Sequence, residues 1–477
     1  MTSPLALPDR EQALAHAAGL VLDSWRGFDR ARPIQPALDE GLRARLDGPL
    51  PERGSDAGDA LTLAAAVLDA SLSQPRPRYL AYVGSSGLEI GVLGDALAAA
   101  HDLNAAVATG GADLFERQAL RWLAELIGFG APFDGLFAAG GTISNLTALA
   151  AARERALPGF RASGGDGRPL ALYCSAEAHY SVRRAAELLA IGSRNVRALP
   201  LDGRRRMDVA ALGRALAADL RAGVVPVAVV ATAGTTLTGA VDPLDELADV
   251  CAEHGVWLHV DGAYGLPAAA TASAGALFAG LDRVDSATVD AHKWLAVPKA
   301  CSVLLVRDGG ALERTFGHHE SYIPHGAELT HPVDRTLEYS RPLRALKLWL
   351  AFRVHGAAAF RDAIERNLAQ AGLLWRLLSD HPRLEPLHEP ELSALCFRHV
   401  ACASGDVEED RAATAALVRA IEADGRIYLA AATLDGVPCL RVCFVNHRTT
   451  DADVEAVVEV VDELACALGA APSPAAA

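Results

Sequence analysis

Between about residues 80 and 310, short apolar runs alternate with amphipathic helical stretches, which predicts an α/β protein whose large domain is built on a mostly parallel sheet. The runs Leu170–Cys174, Val225–Ala231, Val256–Asp261, Val284–Val289 and Cys301–Val306 are continuously apolar rather than alternating, as strands covered on both faces are. Hydrophobic residues form 51% of the 477, enough for a large core, and the length corresponds to about three domain-sized pieces.

Taken in order, residues 1–78 read as an N-terminal helical segment. Glu11–Trp25 places Leu14, Ala17, Leu20, Val21 and Trp25 at helical spacing, and Ala60–Leu72 follows a Pro/Gly-rich connector. Residues 79–350 form the large domain. Within it Asp242 is the expected N-cap of a helix, Pro243 its first residue and Gly255 its stop, with Leu244, Leu247, Ala248 and Cys251 on one face. A long helical stretch runs from Arg341 to Ala369. Residues 351–468 make a small C-terminal α+β domain with strands expected near Ala394–Phe397, Ile427–Ala430 and Cys439–Phe444. The tail, 469–477, is low-complexity and expected to be disordered, and no internal repeat is present.

Acidic side chains outnumber basic ones by 59 to 44, a formal charge of -15, which excludes the basic footprint of a duplex-binding protein. The start, Met1-Thr2-Ser3-Pro4, lacks the basic and apolar regions of a secretory signal, and Val224–Ala231 is too short to span a bilayer. Eight cysteines without paired CxxC spacing suit a reducing compartment, and Cys439 and Cys443 are expected to pack in the core. A soluble, cytoplasmic protein with no nucleic-acid or membrane partner is expected. Lysine occurs only at Lys293, Lys299 and Lys347, so chemistry requiring an amine has three candidates.

Five polar motifs follow five successive strands, too many to be independent caps. Thr288-Val289-Asp290-Ala291-His292-Lys293-Trp294 sets a lysine just past a buried strand, where a lowered pKa would expose a neutral amine for imine formation; alone, it could equally be a surface lysine. Trp257-Leu258-His259-Val260-Asp261-Gly262-Ala263 ends a strand on a carboxylate that either caps the turn or pairs with a protonated ring nitrogen. Gly140-Gly141-Thr142-Ile143-Ser144-Asn145 opens a helix and offers a phosphate site, matching neither a P-loop nor a dinucleotide fingerprint. His179, after Ser175-Ala176-Glu177-Ala178, is a strand-end polar residue or a ring stacked on a flat cofactor. Thr232-Ala233-Gly234-Thr235-Thr236 and Asp242 end the next strand in the same manner.

These motifs, in order from Pro77-Arg78-Tyr79-Leu80-Ala81-Tyr82 to Leu440-Arg441-Val442-Cys443-Phe444-Val445-Asn446, resemble the pyridoxal-5'-phosphate-dependent group II amino-acid decarboxylases, the family of the aromatic-amino-acid, histidine and glutamate decarboxylases. The resemblance spans most of the chain, and Asp-Ala-His-Lys-Trp is its most specific block. It implies the fold-type-I architecture, a homodimer clasped by the N-terminal segment, and decarboxylation of an L-amino acid to the amine and carbon dioxide. Lys293 would hold pyridoxal 5'-phosphate as an internal aldimine, and Asp261 would face the pyridine nitrogen. His179 would stack on one ring face, with Ala263 on the other. Thr142, Ile143 and Ser144 would meet the phosphate, helped by His292, and Thr236 and Asp242 would support the ring and its surroundings. Lys299 and Lys347 lack the strand-end neighbours that suit this role.

Two departures bear on the outcome. The family's loop tyrosine, thought to return a proton to the substrate carbon, is replaced at the equivalent position by Pro332, beside His331. Relatives lacking it divert to oxidative, aldehyde-forming chemistry, which stands as an alternative reaction, with a catalytically silent cofactor-binding scaffold as another. The histidine-rich stretch Gly317-His318-His319-Glu320-Ser321-Tyr322-Ile323-Pro324-His325 reads as a polar lid, with no metal site expected. In addition, Asn104-Ala105-Ala106-Val107-Ala108 carries none of the bulky aromatic side chains found there in aromatic-amino-acid enzymes, disfavouring an indole or phenol substrate. The proton donor expected here is His331, or else Tyr322. Product analysis of His331→Ala and Tyr322→Phe tests this, and an unchanged amine yield in both removes the assignment.

Overall fold

The computed structural model describes residues 5–7, 9–30, 39–107, 110–318 and 332–470. By contact these fall into two compact units that interleave along the chain: Ser85–Gly372 with His388–Leu395, and Met1–Gly84 with Leu373–Leu387 and Cys396–Ala477. The division expected at residues 78 and 350 follows chain order, whereas this grouping joins the N-terminal helices to the C-terminal strands. The expected proton donors His331 and Tyr322, and the tail from 471, lie outside the described residues.

The second unit opens with helices α1 (Arg10–Phe28), α2 (Glu40–Leu46) and α3 (Ala57–Asp69). Asp39 and Asp56 cap α2 and α3 by accepting from Leu42 and Asp59 amides. Of α1 only Ala13 is buried, and Leu14 and Leu22 stand exposed.

In the larger unit come α4 (Glu89–His101), α5 (Gly111–Ile127), β1 (Asp134–Ala138), α6 (Gly141–Ala156), α7 (Phe160–Ser163), β2 (Leu170–Ser175), α8 (Ser181–Leu188), β3 (Val196–Leu199), α9 (Val209–Arg221), β4 (Val225–Thr232), α10 (Leu244–His254), β5 (Trp257–Asp261), β6 (Ser286–Val289), β7 (Ser302–Val306) and α11 (Ala311–Phe316). Its seven strands are ordered β1-β7-β6-β5-β4-β2-β3. All run parallel except β7, which is antiparallel to both its neighbours. The mostly parallel sheet is thus the one expected. β2, β5, β6 and β7 are buried at every residue, as strands covered on both faces are, and two of the polar side chains within them, His259 and Ser286, are hydrogen-bonded to each other. Helix α6 packs on them through Ala148, Ala150, Ala151 and Ala152, small side chains that let it lie close.

Two local expectations are corrected. α10 stops at Gly255 as expected, but it starts at Leu244, with Pro243 at the N-cap rather than first in the helix, and Asp242 does not cap it. Its buried carboxylate instead accepts from the Thr232 and Met207 amides at 2.7 Å each, tying down the end of β4. Burial outweighs those bonds and raises the carboxyl to about 6. The strand expected at Ile427–Ala430 begins only at Ala430.

α12 (Ala345–Ser379) is broken at Gly356, whose φ of 72° is left-handed. The remaining elements are β8 (Leu384–Pro386), β9 (Ala394–His399), α13 (Val407–Asp424), β10 (Ala430–Leu434), β11 (Val437–Cys443) and α14 (Asp451–Ala470). The smaller sheet has the order β10-β11-β9-β8. Beside it, Asp462 accepts from Arg383 at 2.6 Å and from His399 at 3.1 Å near Cys466. No described helix is long and apolar enough to cross a membrane.

The turn after β5 is fitted to the end of β4. A Cβ on Gly265 would lie 2.4 Å from the Ala233 carbonyl oxygen and 2.7 Å from Leu392. Gly265→Ala is therefore expected to destabilise the protein by about 1–3 kcal/mol. The control Gly213→Ala, in α9 where nothing lies within 4 Å, should be neutral or stabilising. Urea unfolding of the two variants checks this, and equal midpoints would contradict it.

Candidate active site

Because β1, β2, β4, β5 and β6 run parallel, their carboxyl ends open on one edge of the sheet, the usual position for a ligand in such folds. A cavity of about 430 Å³ lies there. Of the residues expected from sequence, it brings together Thr142, Ile143, His179, Thr236, Asp261, Ala263, His292 and Lys293. Ser144 and Asp242 are not among its lining. The Ser144 hydroxyl is fully buried against Ser302 at 2.8 Å, and Asp242 acts from behind through Thr232. Asn145, Thr232, Tyr264, Asp290 and Lys299 also line the cavity. The sequence motifs contained Asn145, Thr232 and Asp290 without a residue-level reason to separate them from their neighbours, whereas Tyr264 follows a motif and Lys299 was set aside.

The connection between the antiparallel neighbours β6 and β7 carries Lys293. Its amide donates to the Asp290 carbonyl at 2.9 Å, and its Nζ lies 3.1 Å from Asp290 Oδ2. His292 contacts the backbone of Cys301 through Nδ1, and burial lowers its pKa. Across the cavity, Tyr264 stacks on Trp294 with ring centroids 5.1 Å apart, while its hydroxyl meets Ser393 at 2.5 Å. The turn after β5 is thereby fixed.

Behind Asp261 runs a chain of buried hydrogen bonds whose direction is determined. The Trp257 indole can only donate, and gives its N–H to Ser286 Oγ at 2.7 Å. Because Asn145 faces His259 with its oxygen, His259 Nε2–H donates to Asn145 Oδ1 at 3.0 Å, and Nδ1 of the neutral ring accepts from Ser286 at 2.8 Å. The Asn145 amide donates to Asp261 Oδ2 at 2.8 Å and to Ser181 Oγ at 3.0 Å. Ser181 donates in turn to His179 Nδ1 at 2.9 Å, so the proton of a neutral His179 sits on Nε2. Desolvation lowers both imidazoles, His259 to about 4, which favours this neutral state. Asp261 Oδ1 accepts from the Ala263 amide at 3.2 Å. Sequence reading identified Asp261 and His179 but not the Asn145–His259–Ser286 support, which joins three distant segments.

The residues suit a flat, phosphorylated, carbonyl-bearing cofactor. Helix α6 presents the positive end of its dipole and its first turn to the cavity. A Cβ on Gly141 would come 3.0 Å from Asp290 Oδ2 and 3.1 Å from the Ala263 side chain, so glycine keeps this approach open. The buried Thr232 Oγ1 and Asp290 Oδ1 have no hydrogen-bond partner, leaving polar capacity at the wall of the cavity.

Residues 46–400 match the pyridoxal-dependent decarboxylase conserved domain. The chain is 32% identical over 469 residues to the aromatic-L-amino-acid decarboxylase of Bacillus atrophaeus, covering 97% of this chain and 96% of that one. Among solved structures it is similar to Oryza sativa TDC with PLP and tryptamine, at 26% identity and a TM-score of 0.90 over 98% of this chain and 100% of that one. It is similar also to mouse CSAD, at 27% identity and a TM-score of 0.88 over 95% of this chain and 98% of that one.

The buried chain makes stability depend on pH. His259 has a folded pKa of about 4 against an ordinary 6.5, so its contribution is fully present above about 6.5 and is lost as pH falls towards 4. The loss is on the order of 3 kcal/mol. His259→Gln keeps a donor for Asn145 without an ionisable ring. Urea midpoints at pH 7 and 4.5 should fall less in the variant than in the natural protein, and equal falls would refute this role.

Proposed function

The chain belongs to the pyridoxal-dependent decarboxylase family, and from that premise we propose a residue-level account of how it releases carbon dioxide from an L-amino acid. Pyridoxal 5'-phosphate, the cofactor of this carboxy-lyase, supplies an electron sink for the charge left on Cα when the carboxylate departs. The convergence of Lys293, Asp261, His179 and the α6 N-terminus in one cavity carries the assignment of roles. Lys293 would be the amine that holds the cofactor, and Asp290 Oδ2, 3.1 Å from its Nζ, would hold its ammonium when free.

Asp261 would hold the ring nitrogen protonated with its carboxylate, whose protein contacts are those to Asn145 and Ala263. His179, with Nδ1 committed to Ser181, presents its ring to one face of the cofactor, and Ala263 leaves room on the other. Thr142 and Ile143 with the first turn of α6 meet the phosphate, and His292 assists. Ser144 and Asp242 support from outside the cavity. Holding the scissile bond in line with the electron sink is a positioning task that this rigid wall performs.

The assembly proposed is a homodimer, supported by the exposed leucines of α1, which a partner would cover. A cytoplasmic location is supported by eight cysteines that are all free.

Purified protein screened against amino acids should release carbon dioxide and the matching amine, and an aldehyde with ammonia would indicate the oxidative alternative. Asp261→Asn should lower kcat by about 10²–10³-fold, and borohydride reduction followed by peptide mapping should label Lys293. Label at another residue, or full activity in Asp261→Asn, would overturn these roles.

A further inference from the structure

A second cavity, also of about 430 Å³, is lined by α5 and α12 and shares no residue with the candidate active site. Trp122 and Glu125 come from α5, and Phe352, Arg353 and Arg361 from α12. The break in α12 at Gly356 falls between the two arginines, so their guanidinia reach one cavity from different helical segments. A Cβ at Gly356 would meet nothing within 4 Å, so its left-handed φ of 72°, rather than crowding, selects glycine there.

The wall of this cavity is aromatic and braced. Trp122 stacks on Trp349 with ring centroids 6.0 Å apart and 17° between planes, and meets Phe352 edge-on at 6.4 Å. Phe352 is supported in turn by Phe360 at 5.2 Å, and Trp349 by Phe115 at 4.9 Å. Aromatic residues are only 5% of the chain, so five meeting here concentrate ring surface at this cavity. The Trp349 indole donates to Gln118 at 2.6 Å, whereas the Trp122 indole has no hydrogen-bond partner among the described residues.

Arg353 and Arg361 are exposed, and neither is paired with a carboxylate among the described residues. Arg341 and Arg344, just before α12, are by contrast held by Glu116 at 2.9 Å and Glu338 at 2.7 Å. Glu125 is the one acidic residue in the lining, so the cavity carries an excess of positive charge in a chain whose formal charge is -15.

We propose that this cavity binds a small aromatic carboxylate, its ring lying on Trp122 and Phe352 and its carboxylate received by Arg353 and Arg361. A guanidinium matches a carboxylate through paired N–H donors, and an aromatic wall favours a ring over an aliphatic chain. The volume suits such a ligand, since small-molecule sites span about 300–1,000 Å³. One carboxylate complements the two guanidinia, whereas the acidic balance of the whole chain opposes a polyanion such as nucleic acid.

The test is calorimetric titration of the holoenzyme with 2-naphthoate, compared with 2-naphthamide and cyclohexanecarboxylate. Naphthoate should bind with a Kd below about 1 mM, and each comparison compound about tenfold more weakly. The double variant Arg353→Met, Arg361→Met changes only exposed side chains; it should weaken naphthoate by about tenfold or more and leave the visible spectrum of the bound cofactor as it was. Trp122→Leu should erase the preference for naphthoate over cyclohexanecarboxylate. No binding, equal binding of the amide, or unchanged affinity in the double variant would overturn the proposal. So would a shift of the cofactor spectrum on adding naphthoate, which places it in the active cavity, or a changed oligomeric state of the double variant in sedimentation, which assigns the arginines to an interface between copies.

Discussion

A carboxylate at the tip of a central, covered strand has lost most of its water, and only donors built into the protein can replace it. Asp261 is in this position, and the arrangement of the site follows from satisfying it. Its Oδ2 takes the amide of Asn145, which is oriented by His259, which is oriented by Ser286 and finally by an indole that can donate but never accept. Because the Asp261 carboxylate can only accept, the Asn145 amide has one orientation and His259 must donate to its oxygen, while the Ser181 amide donating to His179 Nδ1 leaves the proton of that imidazole on Nε2. The same bonds join β5, β6, α6 and the start of α8, so the fold and the protonation pattern of the site are one structure.

This arrangement also explains the distribution of rigid and open parts around the cavity. Glycine is used where a side chain would crowd its neighbours, at Gly141 against the Asp290 and Ala263 side chains and at Gly265 against the Ala233 backbone, and buried threonine and aspartate oxygens are left for something other than protein. Tyr264 and Trp294 lock the two turns that carry Asp261 and Lys293. Positions whose side chains are committed to the scaffold, such as Ser144 and Asp242, sit immediately behind those that face the cavity.

The sheet was legible in the sequence because strands buried on both faces cannot alternate, and the strand-end motifs were legible because parallel strands bring their carboxyl ends together. Asp242 was misplaced because Asp-Pro before an apolar face has the form of a helix start, and only the fold shows that its carboxylate binds two distant amides. Ser144 differs from Thr142 and Ile143 by its turn of the helix, which a linear motif does not separate. Asn145 owes its position to contacts with Ser181, His259 and Asp261, 36 to 116 residues away, and such pairings leave no local signature. The interleaving of the two units is likewise a property of contacts rather than of composition.

The scarcity of lysine has a consequence for chemical probing. Lys347 is covered and held by Asp95, while Lys293 and Lys299 line the cavity, and every other basic side chain is arginine. An acylating or reductively alkylating reagent therefore finds its side-chain amines at the cavity and almost nowhere else. The extent of such modification, read as an intact-mass increment, becomes a direct gauge of how much of the cavity is occupied.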